Sequence, residues 1–132
     1  MANLNIVPAR SRYLILLLLK THSPFLTAFL GRSGYATSEA RSPDHLVALC
    51  LNNPVDAVII DVRQLGEIEG WSVAQSIKMV KPSLPVVLLC HGAIPEKVEL
   101  PMGVDALASD SDLPGLLRIL ETRNTQKTAA NS

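Results

Sequence analysis

The sequence lacks a net charge, a long apolar run and any abundance of cysteine, and each absence removes a class of protein. Its 132 residues carry 12 basic and 12 acidic side chains, and its isoelectric point lies near 6.8. Nucleic-acid binding normally shows as a basic patch or a strongly raised isoelectric point, so no nucleic-acid partner is expected. The longest uninterrupted apolar run is Leu14–Leu19, continued from Tyr13 and closed by Lys20. A membrane-spanning helix needs about 20 such residues, so no membrane association is expected. Arg10 and Arg12 precede the run, but Lys20 cuts it at the lower limit of a secretory signal core. The 2 cysteines, Cys50 and Cys90, are too few for a disulfide scaffold, and the cytoplasm is the expected compartment. Acidic residues are missing from Met1 to Ser38; the first is Glu39.

What is present is a hydrophobic fraction of 48%, enough for one core that buries roughly two-thirds of the unfolded surface. Arg12–Leu19 is apolar at almost every position rather than alternately, the pattern of a strand covered on both faces. Ser23-Pro24 reads as a cap with proline in the first turn of a helix carrying Phe25, Leu26, Phe29 and Leu30 inward, ended by Gly31 or Gly34. An edge strand follows at Tyr35–Ala40. Ser42-Pro43-Asp44 opens a second helix with Leu46, Val47, Leu49, Cys50 and Leu51 inward, and Asn52-Asn53-Pro54 stops it. Val55–Ile60 reads as a third strand ending in Asp61. Gly66–Gly70 is expected as a loop, and Trp71–Lys81 as a helix closed by Pro82 and Pro85. Pro85–Cys90 forms a fourth strand, Glu96–Leu100 at most a short helix, and Val104–Ala108 a fifth strand. Asp112 then caps a last helix with Leu113, Leu116, Leu117 and Leu120 inward. Alternation of strand and helix predicts an α/β fold: a five-stranded parallel sheet, doubly wound, in a three-layer sandwich. Residues 1–11 are expected as a disordered arm, 12–123 as the domain and 124–132 as a disordered tail.

Open parallel sheets bind ligands at the carboxyl ends of their strands, which selects Leu19–Thr21, Asp61 and Cys90-His91. Lys20–Pro24 lacks the glycines with which a phosphate loop brings backbone amides to a nucleotide. Three segments together resemble the receiver domain of response regulators, a flavodoxin-like fold of the chemotaxis-regulator kind. Pro54–Asp61 (PVDAVIID) resembles its third strand and phosphorylated aspartate, Lys81–Cys90 (KPSLPVVLLC) its fourth strand, and Gly103–Asp110 (GVDALASD) its fifth.

The resemblance implies a phosphorelay protein in which Asp61 is the candidate phosphoacceptor for a histidine kinase. It also implies a magnesium ion held by an acidic pair after the first strand, by Asp61 and by the backbone carbonyl of Arg63. Phosphoryl transfer is positioning plus charge stabilisation, and magnesium demands hard oxygen ligands. The acidic pair has no counterpart among Leu18–His22, so the magnesium site is weakened and no other cofactor is implied. Lys20 lies in its place. Cys90 replaces the switch hydroxyl, His91 the small residue after it, Leu107 the aromatic switch residue, and Asp110 the lysine that pairs with the phosphoryl group. These departures describe a degenerate, or pseudo-receiver, domain that is not an enzyme beyond autocatalytic transfer to Asp61. It is expected to stand alone and to act by contact with a kinase, another signalling protein or a second copy of itself. A working phosphoacceptor is the alternative.

Other readings of single residues are weaker. Asp61 can equally be a carboxylate that caps the following loop or pairs with Lys20 or Arg63, the pairing favouring its charged form. A nucleophilic Cys90 activated by His91 conflicts with the opposite directions of neighbouring strand residues. His22, His45, His91 and Cys90 lack zinc-ligand spacing. Trp71 reads as a packing residue, and Asp105 as a cap or salt-bridge partner.

Overall fold

The computed structural model describes residues 13–94, 100 and 102–131. Strands β1 (Tyr13–Leu18), β2 (Tyr35–Glu39), β3 (Ala57–Asp61), β4 (Val86–Cys90) and β5 (Ala106–Ser109) form one sheet. Its order is β2-β1-β3-β4-β5, and every neighbouring pair is parallel. Helices α1 (Pro24–Arg32), α2 (Pro43–Asn52), α3 (Val62–Val80) and α4 (Leu113–Asn131) connect or follow the strands. The expected parallel, doubly wound architecture is therefore present.

Alternation along the strands sorts the core into two halves. Leu16, Leu18, Val58, Ile60, Val86 and Leu88 pack on one face with Leu46 and Cys50 of α2 and Ala74 and Ile77 of α3. Ile15, Leu17, Ala57, Ile59, Val87 and Leu89 pack on the other with Leu26 and Leu30 of α1 and Leu116 and Leu120 of α4. Both faces are covered, which explains why β1 reads as a continuous apolar run. Each fully buried leucine contributes about 1.5–3 kcal/mol relative to an exposed one.

Helix starts follow the sequence signals. Ser23 Oγ accepts from the Leu26 N–H at 3.2 Å, and Ser42 Oγ from the His45 N–H at 3.1 Å, with proline opening both helices. Asp112 Oδ1 accepts from the Gly115 N–H at 3.0 Å at the start of α4. Asp105 acts as a cap and ion-pair partner: its Oδ2 accepts from the Val86 N–H at 2.8 Å and from Lys78 Nζ at 2.6 Å.

Four expectations need correction. The loop expected at Gly66–Gly70 is helix, because α3 starts at Val62 directly after Asp61, whose carboxylate serves as its N-cap. Two glycines each cost about 1 kcal/mol in a helix interior, and the packing of Val73, Ala74 and Ile77 on the sheet offsets that cost. Helix α4 continues to Asn131, beyond the end near Arg123 that the loss of periodicity predicts. Phe25 is 80% exposed and Leu51 56%, since each sits one position from the i, i+4 pair that faces the sheet, a rotation of about 100°. The third and fifth strands are shifted, Ala57–Asp61 and Ala106–Ser109 replacing Val55–Ile60 and Val104–Ala108. The short helix expected at 96–100 and the arm at 1–11 lie outside the described residues, Leu100 excepted.

Candidate functional site

The carboxyl ends of β1, β3, β4 and β5 converge beside Asp61, and strand alternation decides which side chains meet there. Ala57, Ile59, Val87, Leu89 and Ala108 face the α1/α4 side. Register pairs Asp61 with Leu89 and Leu89 with Ala108. Asp61, His91 and Asp110 are each the next residue of that parity, so their side chains emerge on the same side. Lys20 and Cys90 have the other parity.

Asp61 is a buried charge, 2% exposed. Its Oδ1 accepts from the Arg63 backbone N–H at 2.8 Å, from Arg63 Nε at 3.4 Å and from His91 Nε2 at 2.9 Å. Its Oδ2 meets an Arg63 guanidinium nitrogen at 3.3 Å and the Lys20 backbone N–H at 3.5 Å. The Nδ1 of His91 faces Oδ2 of Asp110. Asp61 thus joins a chain of polar contacts, from Arg63 through Asp61 and His91 to Asp110. Burial acts to raise the Asp61 carboxyl, but hydrogen bonds from His91 and Arg63 and the charge of His91 together hold it below the ordinary carboxylate range.

The expected positions fare differently. Lys20 reaches Asp61 through its backbone N–H, and no ion pair joins its ammonium to Asp61 among the described residues. Cys90 is half-buried and remains a thiol; it lies outside the cleft that Asp61 lines. Asp110 enters the site as a partner of His91. His91 stands out in the sequence as a strand-end residue in the place of a small one, but without a partner; its parity with Leu89 across the sheet is what brings it to Asp61.

The cleft beside Asp61 has a volume of about 90 Å³ and is lined by Thr21, Ser23, Phe25, Arg63, His91 and Asp110 among others. Magnesium does not fit this donor set. Both oxygens of Asp61 are taken by N–H donors, Asp110 faces the imidazole, and the Arg63 guanidinium stands where a second positive charge would be repelled. Among the described residues no group of three or more His, Cys, Asp or Glu side chains is arranged to hold a metal ion. Chemically, the site neutralises its own buried carboxylate.

Solved structures with the same fold include response-regulator receivers. The N-terminal domain of a response regulator, sensory box and GGDEF three-domain protein from Carboxydothermus hydrogenoformans matches with a TM-score of 0.69 at 22% identity, covering 90% of this chain and 99% of that one. A CheY-like receiver from Methanospirillum hungatei gives 0.69 at 18% identity, covering 88% and 99%. The receiver domain of a sensor histidine kinase from Pseudomonas aeruginosa gives 0.70 at 21%, covering 85% and 97%; that protein was solved with magnesium coordinated in its active-site cleft. No family model and no curated protein matches the chain. The fold is that of a response-regulator receiver domain.

Proposed function

We propose that this chain is a receiver-like module of two-component signalling that acts by binding a partner protein, with phosphoryl transfer to Asp61 impaired. The observation that carries the reading is the state of Asp61: buried, donated to by Arg63 and His91, and facing no second acid at the end of β1. A nucleophilic carboxylate needs a cation to draw a phosphoryl dianion towards it, and here Arg63 and His91 already occupy the oxygens. Asp110, which replaces the family's lysine, adds negative charge where the phosphoryl oxygens would lie. The partner is a histidine kinase, another signalling protein or a second copy, met in the cytoplasm; among the described residues no helix is long and apolar enough to cross a membrane.

A second reading, in which a histidine kinase phosphorylates Asp61, draws on the position of this carboxylate at the end of β3 beside an open cleft. Beryllofluoride with magnesium mimics an aspartyl phosphate, so titrating the purified chain and following amide NMR shifts separates the two. The impaired reading expects no saturable shifts around Asp61. Saturable shifts spreading from Asp61 to β4 and β5 would establish the second reading.

A further inference from the structure

We infer that the groove at the amino edge of the sheet, between the end of α3 and the turn into β5, is the docking site of this chain's own amino-terminal segment, residues 1–12, which enters it through Leu4 and Ile6. The groove lies at the opposite edge from Asp61, so the inference goes beyond the receiver-like reading and does not depend on the state of that carboxylate.

The groove is built by the local sequence. Helix α3 starts at Val62, at the carboxyl end of β3, and returns to the amino edge at Val80. Gly103, with its positive φ, lets the turn before β5 lie against the α3 backbone at Ala74 and Gln75. Lys78 and Met79 on one side and Met102, Val104 and Asp105 on the other then line a groove of about 490 Å³, within the range of ligand-binding clefts. The Lys78–Asp105 ion pair at 2.6 Å holds the two walls together. The rim is apolar and open: Met79 is 84% and Met102 78% exposed, and with Val80 and Leu100 they make up four of the six large hydrophobic side chains exposed among the described residues. Single exposed apolar residues are ordinary, but a cluster of them marks a contact surface, and methionine adapts its shape to what it meets.

What covers the groove follows from where the chain enters the fold. The Leu14 N–H donates to Asp56 Oδ2 at 2.8 Å, which fixes the start of β1 at this same amino edge, and residues 1–12 lead into it. Two strands, β3 and β4, separate β1 from β5, so the distance to cross is three strand spacings, about 14 Å. Ile6 precedes Tyr13 by seven residues, a reach of about 23 Å in extended chain. The segment also has the right chemistry. Leu4 and Ile6 alternate with Asn3 and Asn5, which in an extended chain gives one apolar and one polar face, and Pro8 disfavours helix at Val7. An extended segment of that kind can set its apolar face into the groove and leave its amides in water.

The test is methyl NMR and oxidation mapping on the full chain, with Leu4→Ser/Ile6→Ser as the variant. Nuclear Overhauser contacts are expected from the Met79 and Met102 methyls to Leu4 and Ile6, and a mixture of differently labelled chains should show none between chains. In peroxide oxidation to the sulfoxide, followed by peptide mass mapping, the variant should oxidise Met79 and Met102 about tenfold faster than the parent, the protection that ~1.4 kcal/mol of docking gives. The amides of Ile59 and Leu88 should keep their shifts in the variant and so report an intact sheet. Contacts that form only between chains would assign the groove to a second copy and overturn the inference. Absent contacts, or equal oxidation rates in parent and variant, would overturn it as well and leave the groove to a different protein.

Discussion

Replacing Asp61 by asparagine should destabilise this protein, and the size of the loss follows from its hydrogen bonds. Asparagine keeps a carbonyl oxygen that can accept from the Arg63 N–H, so the N-cap of α3, worth about 1 kcal/mol, survives. The negative charge is lost. Hydrogen bonds to charged groups contribute about 1.5–3 kcal/mol against about 0.5–1.5 kcal/mol for neutral ones, so the contacts to His91 and Arg63 each weaken by about 1 kcal/mol. Solvent screening trims the Arg63 share, because that side chain is 52% exposed. The net expectation is a loss of about 1.5–2 kcal/mol at neutral pH. With a urea m-value of about 1–3 kcal/mol/M, the unfolding midpoint should fall by roughly 1 M, read by circular dichroism. Asp61→Ala, which also removes the cap, should lose about 1 kcal/mol more.

The deficit should depend on pH in one direction. The Asp61 carboxyl is held below its ordinary value in the folded state, since bonds from His91 and Arg63 outweigh the burial that would raise it. Its contribution is therefore fully present above the unfolded carboxylate value of about 3.9 and is lost as pH falls through the lower folded value. The asparagine variant and the parent should differ at pH 7 and converge in strong acid. Equal or greater stability of Asp61→Asn at pH 7 would refute the reasoning. It would show that the carboxylate is held at a cost for chemistry, as strained functional groups are, rather than satisfied by its partners.

Gly103 has φ near +89°, and a Cβ there would stand 3.0 Å from backbone atoms of Ala74 and Gln75 in α3; Gly103→Ala should cost about 2–4 kcal/mol in urea unfolding, from backbone strain and the clash together. Ser42→Ala should lose about 1 kcal/mol by removing the cap of α2, measurable as a shift in the same midpoint. Burial raises the Cys50 thiol, with Lys81 acting weakly the other way, so Cys50 should resist a thiol reagent until the protein unfolds; half-buried Cys90 should react first, as peptide mass mapping of the labelled chain would show.

The sheet was legible in the sequence because burial on both faces writes itself as unbroken apolar runs, and the caps at Ser23, Ser42 and Asp112 because their chemistry is local. The start of α3 was not. Gly66 and Gly70 read as loop formers, and what overrides them is packing against residues distant in sequence. The site was half legible: Asp61 follows from motif resemblance and its cap and pairing with Arg63 from local charge, whereas the pairing with Lys20, equally natural from charge, does not form. Strand parity decides otherwise, presenting His91 and Asp110 to the Asp61 side. That geometry belongs to register across the sheet, which a motif read along one strand does not contain.

Strand β5 is an edge of the sheet, four residues long, and exposed edges invite pairing with a strand from another chain. Here the edge is bracketed by carboxylates. Asp105 precedes it, bonded to the first amide of β4 and to Lys78, and Asp110 follows it, bonded to His91. An incoming strand would find only a very short ladder, its flanking carboxylates already engaged by Lys78 and His91. Recognition of this molecule by sheet extension is therefore disfavoured at that border.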